Sequence, residues 1–570
     1  MKKTVAVILV VLLIITALPF NLFGVSASIP TSGTAGSCYW SFKNNVLTIS
    51  GEGMIPHYEQ VDNKKPWRHY VPYIEKIVIE KGVTAIGTHA FQFCTALTEV
   101  IIADTVTTIY SLAFDDCESL KSITIPDGVT QIMYNAFRGC GALENITLPD
   151  TLTYIGENVF GATAYKANEE NWVDGVLYVG NYLIEGRESV VNCTVRPGTI
   201  LIADSAFQRY SVSYPFSLES LILPDSLKYI NYNAFEYAEN LKTVKFGKNL
   251  KAIDQYAFKG CSSITEIVLP DSLTSLGDYA FTYCTSAKYL VIGKELEKIP
   301  QGAFSECDSF ESVTLGKNTK TIGEDAFSGC ENLETITTNN VLTSIGSGAF
   351  NGCGKLASIL LPKSLTEIGR AAFKGCKSLT EITIPDKITE IKGNTFTDCC
   401  NLTTLIIGKN VGIIEQTVFN GCSELVNIVM PKSLKKVDIT SFPYFSAPSN
   451  VNIWYEGSDM SEIENITKQN IRNCNWYYNV FVKSGHVYDN EEDLICNICN
   501  EERPPYVIGD VSDDGNVDLS DIVVLAQYVA KWDNLTYNPK TLDIDGSGEV
   551  DLNDIVRLAQ YVAGWNVEIF

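Results

Sequence analysis

Residues 365–385 read Leu365-Thr366-Glu367-Ile368-Gly369-Arg370-Ala371-Ala372-Phe373-Lys374-Gly375-Cys376-Lys377-Ser378-Leu379-Thr380-Glu381-Ile382-Thr383-Ile384-Pro385. The Phe of this stretch recurs at Phe91, Phe114, Phe137, Phe160 and Phe207, then at Phe235, Phe258, Phe281, Phe304, Phe327, Phe350, Phe373, Phe396, Phe419 and Phe442. Twelve of the fourteen intervals are 23 residues; the other two are 47 and 28. A phase held this long marks a repeat architecture in which each unit stacks on the next.

Aligned on that Phe, most units read I-G-x-x-A-F-x-x-C-x-x-L-x-x-I-x-I-P. Apolar residues nine and eleven places after the Phe (Ile123/Ile125, Ile146/Leu148, Ile382/Ile384) alternate with a period of two. That spacing predicts a short strand with one buried face. Twelve places after the Phe stands Pro126, Pro149, Pro270, Pro362, Pro385 or Pro431, or else Gly247, Gly293, Gly316 or Gly408. Either residue ends a strand. One such coil cannot bury its own apolar face, so the coils must stack, each adding a Phe worth roughly 1.5–3 kcal/mol when fully buried. The predicted fold is an α/β-type repeat solenoid with short parallel strands forming a sheet along one side.

Eleven of the 17 cysteines sit three places after the Phe: Cys94, Cys117, Cys140, Cys261, Cys284, Cys307, Cys330, Cys353, Cys376, Cys399 and Cys422. A disulfide or metal ladder needs convergent pairs, whereas this spacing delivers one Cys per coil. The column therefore reads as a small buried core position.

The chain has 570 residues, 45% apolar and 11% aromatic, with a formal net charge of −24 and four histidines. The apolar fraction is too high for disorder and too dispersed for a polytopic membrane protein. Nucleic-acid binding is excluded because phosphate neutralisation needs clustered Lys and Arg. The acidity is uneven: residues 486–570 hold 18 acidic and 4 basic side chains, a net of −14, against −10 for the other 485 residues. At the amino end, Lys2 and Lys3 precede an apolar run from Val5 to Leu18, then Pro19, then Val25-Ser26-Ala27. This predicts a signal peptide over 1–27 cleaved after Ala27. The run is short for a membrane anchor of about 20 residues. The expectation is a secreted, extracellular protein with no membrane span after cleavage.

The repeat resembles that of BspA-type bacterial leucine-rich repeat surface proteins over roughly residues 75–445. Cys38-Tyr39-Trp40 through Leu47-Thr48-Ile49-Ser50-Gly51, with Pro66-Trp67, is similar to the family's amino-terminal cap. Ile453-Trp454-Tyr455-Glu456-Gly457-Ser458 with Trp476-Tyr477-Tyr478 is similar to its closing segment. The resulting expectation is a cap over 28–80, leucine-rich repeats over 81–445 and a second cap over 446–484. Inside the 47-residue interval, Val176-Leu177-Tyr178-Val179-Gly180-Asn181-Tyr182 reads as a hairpin turning at Gly180-Asn181, in an insert over about 161–197. The resemblance implies adhesion or recognition.

Residues 485–506 read as an acidic linker with Pro504-Pro505. His486, Cys496 and Cys499 there make at most a partial zinc site, since a fourth ligand is missing at any regular spacing. A local disulfide and free thiols are the other readings.

The carboxylate excess falls on a duplication at an offset of 33. Asp510, Ser512, Asp514, Asp518 and Asp521, and again Asp543, Asp545, Ser547, Asp551 and Asp554, offer oxygen at loop positions 1, 3, 5, 9 and 12. Gly515 and Gly548 hold position 6, and a backbone carbonyl is expected from Asn516 and Glu549 at position 7. This is the hard-oxygen cage suited to Ca²⁺. Each loop runs into a near-copy of one helix, Asp518–Trp532 and Asp551–Trp565, alike at 12 of 15 positions. Ile522, Leu525 and Val529, like Ile555, Leu558 and Val562, lie at the spacing of one helical face.

This duplicated loop-helix over 507–570 resembles a type I dockerin, a small all-α calcium-binding domain. The resemblance implies two Ca²⁺ ions held by the twelve loop residues above and a cohesin module of a scaffoldin as partner, within a cellulosome. It also implies that cohesin is contacted by Leu519, Ser520, Ala526 and Gln527 in one half and by Leu552, Asn553, Ala559 and Gln560 in the other. Many family members carry a Ser-Thr pair and basic residues at these places, so a more apolar contact surface is expected here.

The functional expectation is a non-catalytic recognition arm whose solenoid takes an unknown protein or glycan ligand. Tyr110, Tyr134, Tyr232, Tyr256 and Tyr279, each within four residues before the repeat Phe, are its candidate contacts. An enzyme such as a glycoside hydrolase is the first alternative. Against it, no domain-sized segment is left, and repeat acids such as Asp127, Asp271 and Asp386 recur at a solvated turn instead of pairing across a cleft. A regulator of a partner protein, for instance a protease inhibitor, is the second.

Overall fold

A computed structural model describes residues 29–59, 64–208, 216–438 and 440–441, together with the backbone of strands Val451–Tyr455, Cys474–Tyr478, Phe481–Lys483 and His486–Tyr488. The chain divides into two compact units, Met1–Arg187 with Thr199–Ala206, and Glu188–Gly198 with Phe207–Phe570. Both are stacks of the same three-sided coil.

The first side is the strand that the alternation predicts, eight to ten residues after the Phe. In the first unit Ser122–Thr124 pairs in parallel with Asn145–Thr147, Ile123 facing Ile146. In the second, Glu266–Val268, Tyr289–Val291, Ser312–Thr314 and Thr335–Thr337 run side by side at a register of 23. The inward members are buried, as at Ile267, Leu290 and Val313.

The structure corrects the expectation of a sheet on one side alone. A second parallel ladder is built from two-residue strands ending at the Ile five places before the Phe, which Gly follows in several coils: Thr108–Ile109, Gln131–Ile132 and Tyr154–Ile155 in the first unit, and Lys298–Ile299, Thr321–Ile322, Ser344–Ile345 and Glu367–Ile368 in the second. Strands this short show no period in sequence, which is why alternation does not reveal them. The glycine after that Ile answers to a close approach. A Cβ on Gly369 would lie 2.3 Å from the backbone nitrogen of Ser347 in the preceding coil.

The third side carries no strand yet is hydrogen-bonded from coil to coil. The Phe114 N–H donates to the Ala136 carbonyl, and the Phe258 N–H to that of Ala280, both at 2.8 Å. The column before the Phe is Ala in most coils and fully buried, as at Ala136, Ala280 and Ala349, because two backbones meet there. Helix is nearly absent among the described residues. One α-helix covers Ala164–Ala167, and 3-10 turns cover Val71–Tyr73 and Glu169–Asn171.

The Phe rings stack down the middle of each unit. Neighbouring centroids lie 5.2–6.0 Å apart from Phe91 to Phe160 and 5.0–5.8 Å apart from Phe207 to Phe419. Trp67 extends the first stack by one ring, 5.6 Å from Phe91, with its indole N–H donated to the Ala90 carbonyl. Pro66-Trp67 thus supplies the stack's end plate, which spacing alone does not show.

The amino-terminal segment forms an antiparallel meander, Ser32–Ala35, Cys38–Lys43 and Val46–Gly51, whose last strand pairs in parallel with Lys76–Ile79. Within the 47-residue interval, Trp172–Val173, Val176–Val179 and Tyr182–Gly186 make a second antiparallel meander, and the pair Val179/Tyr182 closes over Gly180-Asn181. The 28-residue interval contains residues 209–215, which lie outside the described residues.

Candidate functional site

The cysteine column is buried, and it is more than filler. Cys117 through Cys422 in this column donate their thiols to the carbonyl of the repeat Phe 26 residues earlier. Examples are Cys140 to Phe114 at 3.2 Å, Cys353 to Phe327 at 3.2 Å and Cys422 to Phe396 at 3.1 Å. Each thiol reaches a carbonyl that the ring stack shields from water, in most coils as a second donor beside the backbone N–H three places after that Phe, as with Cys330 N–H to Phe327 at 3.3 Å. Burial pushes up the thiols of Cys117 and of Cys261 through Cys422 in this column, Cys422 to about 12, so these are inert as nucleophiles. The small size of Cys was legible in sequence; the S–H donor function was not.

The repeat acids are used structurally. Asp271 pairs with Lys294 at 2.6 Å, Asp386 with Lys409 at 2.8 Å and Asp225 with Lys248 at 2.6 Å. These are exposed bonds between successive coils, screened by solvent. Two acids are sequestered in the first unit. The Asp115 side chain is fully buried, clamped by Arg138 Nε and Nη2 at 2.7 and 3.0 Å and by the Gln92 amide at 2.7 Å. Asp204 accepts from the Tyr154 and Ser205 hydroxyls, both at 2.8 Å, and burial raises its carboxyl to about 6. Among the described residues, no group of three or more His, Cys, Asp or Glu side chains is placed to hold a metal ion.

The third side of the second unit is the chemically distinctive surface. Two columns, two places before and two after the Phe, adopt left-handed backbone in nearly every coil. Most coils place Asn, Asp or Gly there, as at Asn233, Asn394, Gly329 and Asp398. Tyr237, Tyr256, Tyr279 and Tyr283 stand in these columns with φ of 56–61°, a conformation that costs a bulky residue of order 1 kcal/mol or more. Tyr237 and Tyr283 are 39% and 49% exposed. Of the five tyrosines expected as contacts, Tyr134 is exposed in the first unit, while Tyr110, Tyr232, Tyr256 and Tyr279 are half-buried. Tyr256 packs 5.7 Å from both Tyr232 and Tyr279. Tyr237 and Tyr283 were missed because they follow the Phe instead of preceding it. Lys259 Nζ lies 5.1 Å above the Tyr237 ring and 4.8 Å above that of Tyr256, while paired with Glu236.

Beside these rings lies a depression of about 370 Å³ whose lining includes Asp254, Gln255, Asp278 and Lys298. Further along the same side come Glu306, Asp308, Glu324, Asp325 and Glu331. The ion pairs of these coils join Lys288 to Glu311, Lys320 to Glu297 and Lys355 to Glu334, and use none of the five. Partial burial, with Asp308 and Glu331 nearby, raises the Glu306 carboxyl. Burial with Glu331 does the same to Asp308, and burial with Glu324 to Asp325.

The signal peptide, the linker thiols Cys496 and Cys499, the two calcium loops (Asp510 to Asp521 and Asp543 to Asp554) and the cohesin contacts (Leu519 to Gln527 and Leu552 to Gln560) lie outside the described residues. Of His486 only the strand backbone is described. No helix among the described residues is long and apolar enough to cross a membrane.

A ring-stacked solenoid of 23-residue coils with parallel strands defines a leucine-rich repeat protein. The family model described as BspA type Leucine rich repeat region (6 copies) matches residues 69–191, 201–334, 297–426 and 343–476, and the chain belongs to that family. A second model, Dockerin type I domain, matches residues 508–563. Among solved structures, a leucine-rich repeat protein from Bacteroides ovatus is similar at 25% identity, covering 78% of this chain and 98% of its own, with a TM-score of 0.42. One from Eubacterium ventriosum is similar at 24% identity over 60% of this chain and 92% of its own, TM-score 0.30. A leucine-rich cell surface protein from Faecalibacterium prausnitzii is similar at 22% identity over 78% and 99%, TM-score 0.30. No curated protein matches the chain. A type I dockerin implies cohesin binding in a cellulosome-like context, and dockerins of this type bind calcium. The repeats imply recognition or adhesion, and proteins of both families are typically extracellular or at the cell surface.

Proposed function

We propose that the chain is a secreted, non-catalytic recognition arm coupled by a calcium-loaded dockerin to a cohesin of a scaffoldin. The observation that carries this reading is the presence of a BspA-type repeat region and a type I dockerin in one chain. In this reading residues 1–27 are removed on export, 28–484 form the capped solenoid, 485–506 the linker and 507–570 the docking module. Asp510, Ser512, Asp514, Asp518 and Asp521, with the Asn516 carbonyl, take one Ca²⁺. Asp543, Asp545, Ser547, Asp551 and Asp554, with the Glu549 carbonyl, take the other. A module of 64 residues has a small core, so ion binding adds directly to its folding free energy. Leu519-Ser520 with Ala526-Gln527, and Leu552-Asn553 with Ala559-Gln560, present the cohesin-facing surface. Excess chelator is expected to abolish capture by immobilised cohesin, and restored Ca²⁺ to recover it. Capture that persists in chelator sinks the calcium-dependent part of this reading.

A further inference from the structure

The third side of the second unit joins two features that repeat packing does not require. Tyrosines occupy left-handed positions that most other coils of this unit give to Asn, Asp or Gly, and a run of carboxylates beside them takes no part in the ion pairs formed among the described residues. The rings also show what they accept, since Lys259 already places its ammonium within cation–π distance of Tyr237 and Tyr256.

We propose that this side, from Tyr232 to Glu331, docks a cationic polypeptide segment rich in Lys and Arg. The cations seat against the exposed Tyr237 and Tyr283 rings and among the carboxylates of Glu306, Asp308 and Glu324. The site rests on the recognition-arm reading and gives it an address and a partner chemistry. Charge complementarity selects the partner. An anionic chain meets repulsion from the unpaired acids, and a neutral glycan leaves their mutual repulsion in place, whereas Arg and Lys relieve it and add ring contacts. Lys298 sits with Asp254 and Asp278 in the neighbouring depression, so the carboxylates free to take a foreign cation are those from Glu306 onward. Tyr is suited to such a surface because it offers rigid, amphipathic area at little entropic cost.

The test uses the full calcium-loaded chain and a fluorescent oligoarginine peptide, read by anisotropy at low and high salt. Binding is expected, weakening as salt rises. Tyr237→Asn with Tyr283→Asn weakens it roughly tenfold. Asn is already accommodated in one of these left-handed columns at Asn233 and Asn394, and Asp in the other at Asp398, so folding is preserved. Glu306→Gln with Asp308→Asn has a comparable effect. Glu52→Gln with Glu80→Gln, which removes as much charge from the first unit, changes affinity by about twofold or less. Equal loss in both charge pairs, or no loss in the Tyr pair, overturns the site. Binding of a neutral cello-oligosaccharide that the Tyr pair abolishes overturns the cationic partner and leaves the recognition arm standing. Cohesin capture, measured on the same proteins, reports on the dockerin separately.

Discussion

The column Cys of eleven coils shows how one atom serves two purposes. Its size fits a position beside the Phe stack, and its S–H adds a coil-to-coil hydrogen bond to a buried carbonyl that in most coils already accepts one backbone N–H. Iodoacetamide is accordingly expected to leave the column from Cys94 to Cys422 unmodified in the native protein and to label it fully in denaturant, as peptide mass spectrometry would show. Labelling of Cys353 under native conditions would contradict its burial. Asp204 makes the opposite case, a carboxyl that burial holds near 6. Its folded-state value lies above the unfolded one of about 4. The stability it contributes is therefore present below about pH 4 and lost as pH rises through 6, an effect of roughly 2–3 kcal/mol. Asp204→Asn should flatten that part of the pH dependence in denaturant unfolding, and an unchanged profile would contradict the assignment. Neither role was legible in sequence, because a thiol's partner and a carboxyl's solvation depend on which coil lies above.

At the level of the coil, sequence patterning reached the first side and stopped short of the other two. Three or more alternating residues announce a strand such as Glu381–Thr383. Two residues such as Glu367–Ile368 do not, and the backbone ladder of the third side has no side-chain period at all. The Phe column was legible because the residue is large and keeps a 23-residue phase in twelve of fourteen intervals. Phe373, held 5.5 Å from Phe350 and 5.6 Å from Phe396, should cost about 3–5 kcal/mol when cut to Ala. Phe373→Leu should cost clearly less, since it keeps most of the volume. Thermal or denaturant melting distinguishes the two, and equal costs would mean that volume is not what the stack needs.

For the molecule as a whole, the sequence places the dockerin, matched over residues 508–563, more clearly than it places any ligand surface on the repeats. Loop chemistry is local, a fixed set of oxygen donors within twelve residues, and is read directly from Asp510 to Asp521. A solenoid surface is assembled from residues 23 apart, and Tyr237, Tyr283 and Glu306 become neighbours only once the stack exists. Chelation should therefore silence docking while leaving the far-ultraviolet signature of the β coils unchanged.

The coil-to-coil hydrogen bonds of all three sides share one further property. Each stack is joined along its axis by a small set of bonds at each junction, with the first-side ladder lapsing at residues 358–360, so tension along that axis loads unequal junctions in series. The weakest one parts first and its neighbours stay closed. A released 23-residue coil then adds roughly 75–80 Å of contour length. An arm held at one end by a scaffold and at the other by its target would lengthen in steps under shear, dissipating load coil by coil before either attachment is lost.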